Sequence, residues 1–125
     1  MTFDNLVTIN KKQTKEGFGI REENLQFVKI IEKYIDIAET SKEDIIKNAM
    51  KCAAVIKLYQ VFYDGNHRTA LIVYACLLKK HGIKFNLLEA LKDMSEGKLN
   101  LPTIYDHEEE IEEDPELHRY LVKNK

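Results

Sequence analysis

Two stretches of this chain are too apolar to face water, and the link between them is polar. From about Lys42 to Tyr59 the sequence carries Ile45, Ile46, Ala49, Met50, the run Cys52–Ile56 and Leu58, and from Ala70 to Leu78 it is apolar almost without a break. Apolar residues all round a helix mean burial on most sides. Both stretches therefore belong at the centre of the fold, and the link Gln60-Val61-Phe62-Tyr63-Asp64-Gly65-Asn66-His67-Arg68 is held in place by the helices on either side.

Helical patterning continues elsewhere. Residues Thr2 to Asn10 are weakly amphipathic and suit a short helix. A polar stretch from Lys11 to Glu23, with Gly17 and Gly19 flanking Phe18, reads as a loop or small hairpin. From Asn24, Leu25, Val28, Ile31 and Ile35 recur at helical steps, widened by Phe27, Ile30 and Tyr34. Thr40-Ser41-Lys42-Glu43 offers a capping box, with Thr40 as cap and Glu43 reaching back. Lys79-Lys80-His81-Gly82 is a helix stop, with cations in the last turn and glycine just past it. Asn86 and Glu89 cap a further helix, with Leu87, Leu88, Leu91 and Met94 on its apolar side, ending near Gly97. The expected class is all-α, in one domain over residues 1–125, with a small hairpin near Gly17 to Arg21 and an acidic tail from about Tyr105.

Composition narrows the function. A net charge of -2 lacks the basic excess of a nucleic-acid binder. The longest apolar run, Ala70 to Leu78, is far short of the about 20 residues that span a bilayer. The start, Met-Thr-Phe-Asp-Asn, has no signal-peptide pattern. Cys52 and Cys76 lie apart in apolar surroundings and read as buried thiols of a reducing compartment. These features lead to the expectation of a cytoplasmic protein with no nucleic-acid or membrane partner.

The polar link has the makings of an anion site. A helix starting near Arg68 has first-turn N–H groups without intrahelical partners, and its positive dipole end faces the link. Gly65 lets the backbone turn and approach a ligand, and successive N–H groups can cradle phosphate oxygens. Arg68 adds a planar cation matched to phosphate, and Asp64 adds the hard oxygen ligand that Mg²⁺ on a polyphosphate takes from a protein. Asp-Gly-Asn is equally a common turn, and an arginine at a helix start can simply face water.

The stretch Phe62-Tyr63-Asp64-Gly65-Asn66-His67-Arg68-Thr69-Ala70 resembles the Fic/Doc active-site signature, His-x-Phe-x-(Asp/Glu)-Gly-Asn-(Gly/Lys)-Arg, and Thr69-Ala70-Leu71 resembles the Doc side of that Fido family. The resemblance runs from about Ile45 to Leu78. It extends to Gly17–Tyr34, where Gly19-Ile20-Arg21 is similar to the family's target-docking flap. It implies a nucleotide such as ATP with Mg²⁺ held by Asp64. It also implies a phosphate cradle of Gly65, Asn66 and the backbone at His67, a phosphate clamp at Arg68, and Phe62 as the anchor of the loop. The implied activity is transfer of AMP, another nucleotide phosphate moiety or phosphate to a hydroxyl of a target protein.

Two positions depart from the pattern. The family's catalytic histidine falls at Gln60, and a glutamine amide cannot accept the hydroxyl proton. Losing a general base costs roughly 10²–10⁴-fold in rate. His67 stands where the family has glycine or lysine, and could act as a displaced base. Gln60 could equally be an introduced change. The family's inhibitory motif, Ser/Thr-x-x-x-Glu-(Gly/Asn), is not matched, because Lys92 occupies the Ser/Thr position ahead of Glu96-Gly97. An inhibitor of the antitoxin kind would therefore be a separate chain.

Among the other residues, His81 reads as structural, and His107 and His118 have no metal-site spacing. The acidic run Asp106–Asp114 reads as a solvated face, with a docking strip for a basic partner or a cover for the cradle as sharper alternatives. Tyr34, Tyr59, Tyr63 and Tyr74 are expected near the core. Three functions compete: a Fic-type nucleotidyl- or phosphotransferase, a catalytically inactive Fido pseudoenzyme that binds nucleotide or protein (for instance in a toxin–antitoxin pair), and a helical interaction domain without a ligand. The last leaves Asp64, Gly65, Asn66 and Arg68 together unexplained.

Overall fold

The computed structural model describes residues 1–14, 22–41, 43–101, 117 and 119–122. In these the chain is mostly helical. Helix α1 spans Phe3–Gln13, and a 3-10 turn over Glu22–Phe27 leads into α2, Val28–Thr40. Helix α3 spans Ile45–Tyr59 and α4 Asn66–Lys80, followed by β1 (Lys84–Phe85), α5 (Leu87–Ser95) and β2 (Leu121–Val122).

The two apolar stretches form the centre. Helices α3 and α4 make the most extensive pair, α2 covers α3, and α1 covers α4. The stretch Cys52–Ile56 is buried on α3, and Ala70, Leu71, Val73, Tyr74, Leu77 and Leu78 are buried on α4. Helix α1 contributes Phe3 and Leu6, and α2 contributes Ile31, Ile35 and Ala38. Burial pushes the Cys52 thiol up to about 12, with the Glu39 carboxylate adding to the shift. Cys76 is only half-buried, so the expectation of two buried thiols holds for Cys52 alone.

Helix ends follow local chemistry where the turn is local. Gly82 adopts φ +76, the Ile83 amide donates to Leu78 at 2.9 Å, and the Gly82 amide donates to Lys79 at 3.0 Å. Gly97 repeats the arrangement after α5, with Lys98 donating to Asp93 and Gly97 to Met94. Both are Schellman caps, in which a left-handed glycine redirects the last carbonyls onto following amides. Asn86 caps α5, accepting from the Glu89 amide at 3.2 Å and donating to the Glu89 carboxylate at 2.9 Å.

Two local expectations need correction. Thr40 is the last residue of α2 and donates to the Asp36 carbonyl, so it does not cap α3. Helix α3 starts at Ile45 behind Asp44, whose φ of 51 is left-handed, and has no side-chain cap. The Thr40 hydroxyl is taken by the Asp36 carbonyl one turn back in its own helix, which overrides the capping signature. The small β element pairs Lys84 with Val122 and Phe85 with Leu121, antiparallel. It joins distant parts of the chain. The hairpin expected at Gly17–Arg21 lies outside the described residues, as do His107, His118 and the acidic run. No helix among the described residues is long and apolar enough to cross a membrane.

The core should respond to truncation and the surface should not. Leu71→Ala, at a fully buried site, should cost about 2–5 kcal/mol in urea unfolding. Leu88→Ala, at a side chain 82% exposed, should stay within about 0.5 kcal/mol of the parent.

Candidate functional site

The link between α3 and α4 is built from the core outward. Gln60 ends α3 in the left-handed region, φ 44 and ψ 53, which turns the chain sharply out of the helix. Val61 and Phe62 then drop into the core, both fully buried, and the Phe62 ring stacks on Phe3 with centroids 6.0 Å apart. The Phe62 amide donates to Asn66 Oδ1 at 3.0 Å, and Asn66 Nδ2 donates back to the Phe62 carbonyl at 3.0 Å. This reciprocal pair closes the loop and satisfies a backbone unit that would otherwise be buried unpaired.

Gly65 is required twice over. Its φ is +72, and a Cβ there would lie 2.8 Å from Thr14 Cγ2 and 3.2 Å from Asn10 Nδ2. Both neighbours belong to the end of α1 and its cap. Asn10 is itself fully buried and donates to the Asp64 carbonyl at 2.6 Å and to Thr69 Oγ1 at 3.2 Å.

Beside this loop is a cleft of about 430 Å³. Gln60, Tyr63 and the whole of Asp64–Arg68 line it, and Met94 and Ser95 of α5 complete the lining. The residues singled out in the loop, Gln60, Asp64, Gly65, Asn66, His67 and Arg68, are thus brought to one place. The flap residues Gly19, Ile20 and Arg21 lie outside the described residues.

Helix α4 begins at Asn66, earlier than the expected start near Arg68, and its first intrahelical bond runs from the Thr69 amide to the Gly65 carbonyl at 2.9 Å. The amides of Gly65, Asn66, His67 and Arg68 therefore have no acceptor inside the helix. Glycine at the cap supplies none, where Ser, Thr, Asp or Asn would. The Asn66 side chain is engaged with Phe62, so only its backbone faces a ligand. Among the described residues, neither the Asp64 carboxylate nor the Arg68 guanidinium makes a hydrogen bond or ion pair, and both residues are exposed. Partial burial, and next the charge of Lys57, hold His67 below its ordinary value, so the neutral ring is favoured. Tyr63 is 63% exposed at the cleft and not part of the core, a correction to the expected tyrosine placement. Tyr74 is fully buried, and Tyr34 and Tyr59 pack against the core.

For metal, the residues offer one carboxylate. Among the described residues no group of three or more His, Cys, Asp or Glu is placed to hold an ion. Asp64 suits a cation that takes most of its ligands from phosphate and water, which is how Mg²⁺ is usually bound.

The sequence reading passed over Asn10, Lys57, Met94 and Ser95. Asn10 had a readable signal: it follows Phe3 and Leu6 at helical steps, so it stands on the buried face of α1. Met94 and Ser95 come to the cleft only through packing, and Lys57, three residues before Gln60 on α3, acts on His67 through its charge. No family model matches the chain, and no curated protein or solved structure matches it either.

Gly65→Ala should destabilise the fold more than Gly82→Ala in thermal melts. Both place a Cβ at positive φ, at about 1–2 kcal/mol each, but only Gly65 also meets side chains, while Gly82 has nothing within 4 Å. The His67 ring should titrate by NMR below 6.5, and Lys57→Ala should raise the midpoint without restoring it fully, because burial remains the larger cause. A depressed histidine binds fewer protons folded than unfolded, so His67 should reduce stability as pH falls through about 6.5 and have no effect well above it.

Proposed function

We propose that this chain is a Fido-type protein that binds a nucleotide with Mg²⁺ at the start of α4 and is equipped for transfer to a protein hydroxyl, except that it lacks the proton acceptor. The observation that carries this is the helix start without a side-chain cap, with Asp64 and Arg68 beside it making no hydrogen bond or ion pair among the described residues. Four amides without intrahelical acceptors, a positive dipole end and a planar cation suit phosphate oxygens. The resemblance of Phe62–Ala70 to the Fic/Doc signature supports the same ligand class.

Each residue then has a role. The Gly65–Arg68 amides hold phosphate oxygens, and Arg68 stabilises charge on the group that leaves. Asp64 would hold Mg²⁺, which when bound neutralises phosphate charge. In transfer, the target hydroxyl oxygen forms a bond to phosphorus, the bond from phosphorus to the leaving group breaks, and the hydroxyl proton passes to a base. Gln60 can orient the hydroxyl but cannot take that proton. The αL backbone at position 60 is a conformation in which histidine is several-fold enriched over most residues, so the site can accept the missing base without rebuilding.

A second reading is favoured by Gln60 itself: a pseudoenzyme that keeps the cradle as a nucleotide- or protein-binding module, partnered by a separate inhibitor chain of the antitoxin kind. The enzyme reading and the nucleotide-binding form of the second both require nucleotide binding and differ in transfer, whereas a protein-binding module requires neither.

Calorimetry should therefore show Mg·ATP binding that Arg68→Ala weakens by about tenfold or more, the equivalent of one charge-assisted hydrogen bond. No binding by the folded protein at millimolar nucleotide would overturn the reading. Label transfer from γ- and α-labelled ATP into lysate protein should be low for the chain as it stands and rise about 10²–10⁴-fold in Gln60→His. Strong transfer that Gln60→His leaves unchanged would assign the base elsewhere, with His67 first in line. Binding without transfer in either form would select the binding module.

A further inference from the structure

The phosphate loop does not hold its shape alone. Its outer peptide, between Asp64 and Gly65, is gripped from another part of the chain by one buried side chain. Asn10 is the last buried residue of α1, and no part of it is exposed. Its Nδ2 reaches the Asp64 carbonyl at 2.6 Å and Thr69 Oγ1 at 3.2 Å. The two acceptors lie on either side of the residues whose amides face the cleft. One amide group thus ties the peptide just before the helix start to the side chain at the end of its first turn. Thr69 is fully buried as well, so the bond to it is shielded from water, while the bond to the Asp64 carbonyl is part-buried. The fit is close: the space a Gly65 Cβ would need is already taken by Asn10 and Thr14.

We propose that Asn10 is a positioning residue of the cleft. It fixes the direction of the Gly65–Arg68 amides and the place of the Asp64 carboxylate, and touches no ligand itself. A buried polar side chain is costly unless paired, so an apolar residue would serve the α1–α4 interface as well or better if packing were all that counted. What an apolar residue cannot do is determine the orientation of a carbonyl. The Asp64 carbonyl belongs to the peptide whose nitrogen is the Gly65 amide, the first of the free donors. A peptide is planar, so holding its oxygen aims its N–H. Asn10 donates on the side away from the cleft, and the amide on the opposite edge of the same plane is thereby set. The functional weight of this rests on the cradle reading above, while the effect on loop geometry does not.

Two substitutions remove the donor with little change of shape. Asn10→Asp keeps the outline and turns a carboxylate towards two oxygens, and Asn10→Leu keeps the branched outline with bulkier apolar ends. Amide NMR should show the Gly65, Asn66, His67 and Arg68 resonances moved and their hydrogen exchange faster in both variants, with core methyl signals of α3 and α4 unmoved. Mg·ATP affinity should fall by about tenfold or more, the scale seen when a supporting partner behind a binding group is removed. Leu6→Ala, in the same helix but away from the loop, should lower the melting temperature without moving those amides or the affinity. Asn10→Gln, which keeps the donor, should restore part of both. If Asn10→Asp and Asn10→Leu fail to fold, Asn10→Ala, which removes the donor to the Asp64 carbonyl without adding charge or bulk, carries the same test. Loop amides that stay in place in a folded variant, or that Leu6→Ala displaces equally, would overturn the proposal. Absence of nucleotide binding in the parent chain would instead sink the cradle reading, and the amide spectra would still decide the role of Asn10.

Discussion

The reciprocal hydrogen bonds between the Asn66 side chain and the Phe62 backbone are the constraint on which the rest of this structure depends. Each is an ordinary bond of about 0.5–1.5 kcal/mol net, but its position gives it weight. Phe62 must be buried, because its ring fills the space against Phe3 under the loop. Its amide and carbonyl go into the interior with it, and unpaired they would cost about 1–3 kcal/mol each. A single asparagine amide, offering one donor and one acceptor, satisfies both. That closure lets two buried helices follow one another across a short link, and it places the start of α4 at the cleft.

The helix start is left in a state that stability alone would not select. Gly65 provides the turn but no cap, and Gln60 sits in a left-handed conformation that costs a non-glycine residue about 1–2 kcal/mol. Among the described residues, the Asp64 and Arg68 side chains make no hydrogen bond or ion pair. These small losses gather within a few residues of the link, between two helices packed at the centre of the fold. Asp44 is a second left-handed residue, at the other end of α3, but at Gln60 the strain coincides with a helix start that has no side-chain cap, which is expected where a ligand completes the structure.

How much of this was readable depended on distance along the chain. The glycine stops after α4 and α5 and the Asn86 cap are made within a few residues, and their residue types announce them. The Thr40–Glu43 signature is just as local, yet Thr40 stayed in α2, because its own helix offered the Asp36 carbonyl first. The β1–β2 pair could not be seen, since two residues on each side are too short for an alternating pattern and their partners are far apart in sequence. Within the site, the loop residues were legible because they are contiguous. Met94 and Ser95 were not, because only helix packing brings them to the cleft.

The sequence by itself determined that the chain is helical, that α3 and α4 are its centre, and that a polar, glycine-bearing turn separates them. Those are consequences of periodicity, burial and backbone freedom, which act over a few residues. The tertiary structure decided which groups in the turn remain available. It engaged the Asn66 side chain with Phe62, started α4 a little earlier than the charge pattern suggests, exposed Tyr63, and brought Asn10 of α1 against the Asp64 carbonyl. The physical reason is that a hydrogen bond between residues 54 apart in sequence depends on how whole helices pack, and no local pattern encodes that geometry.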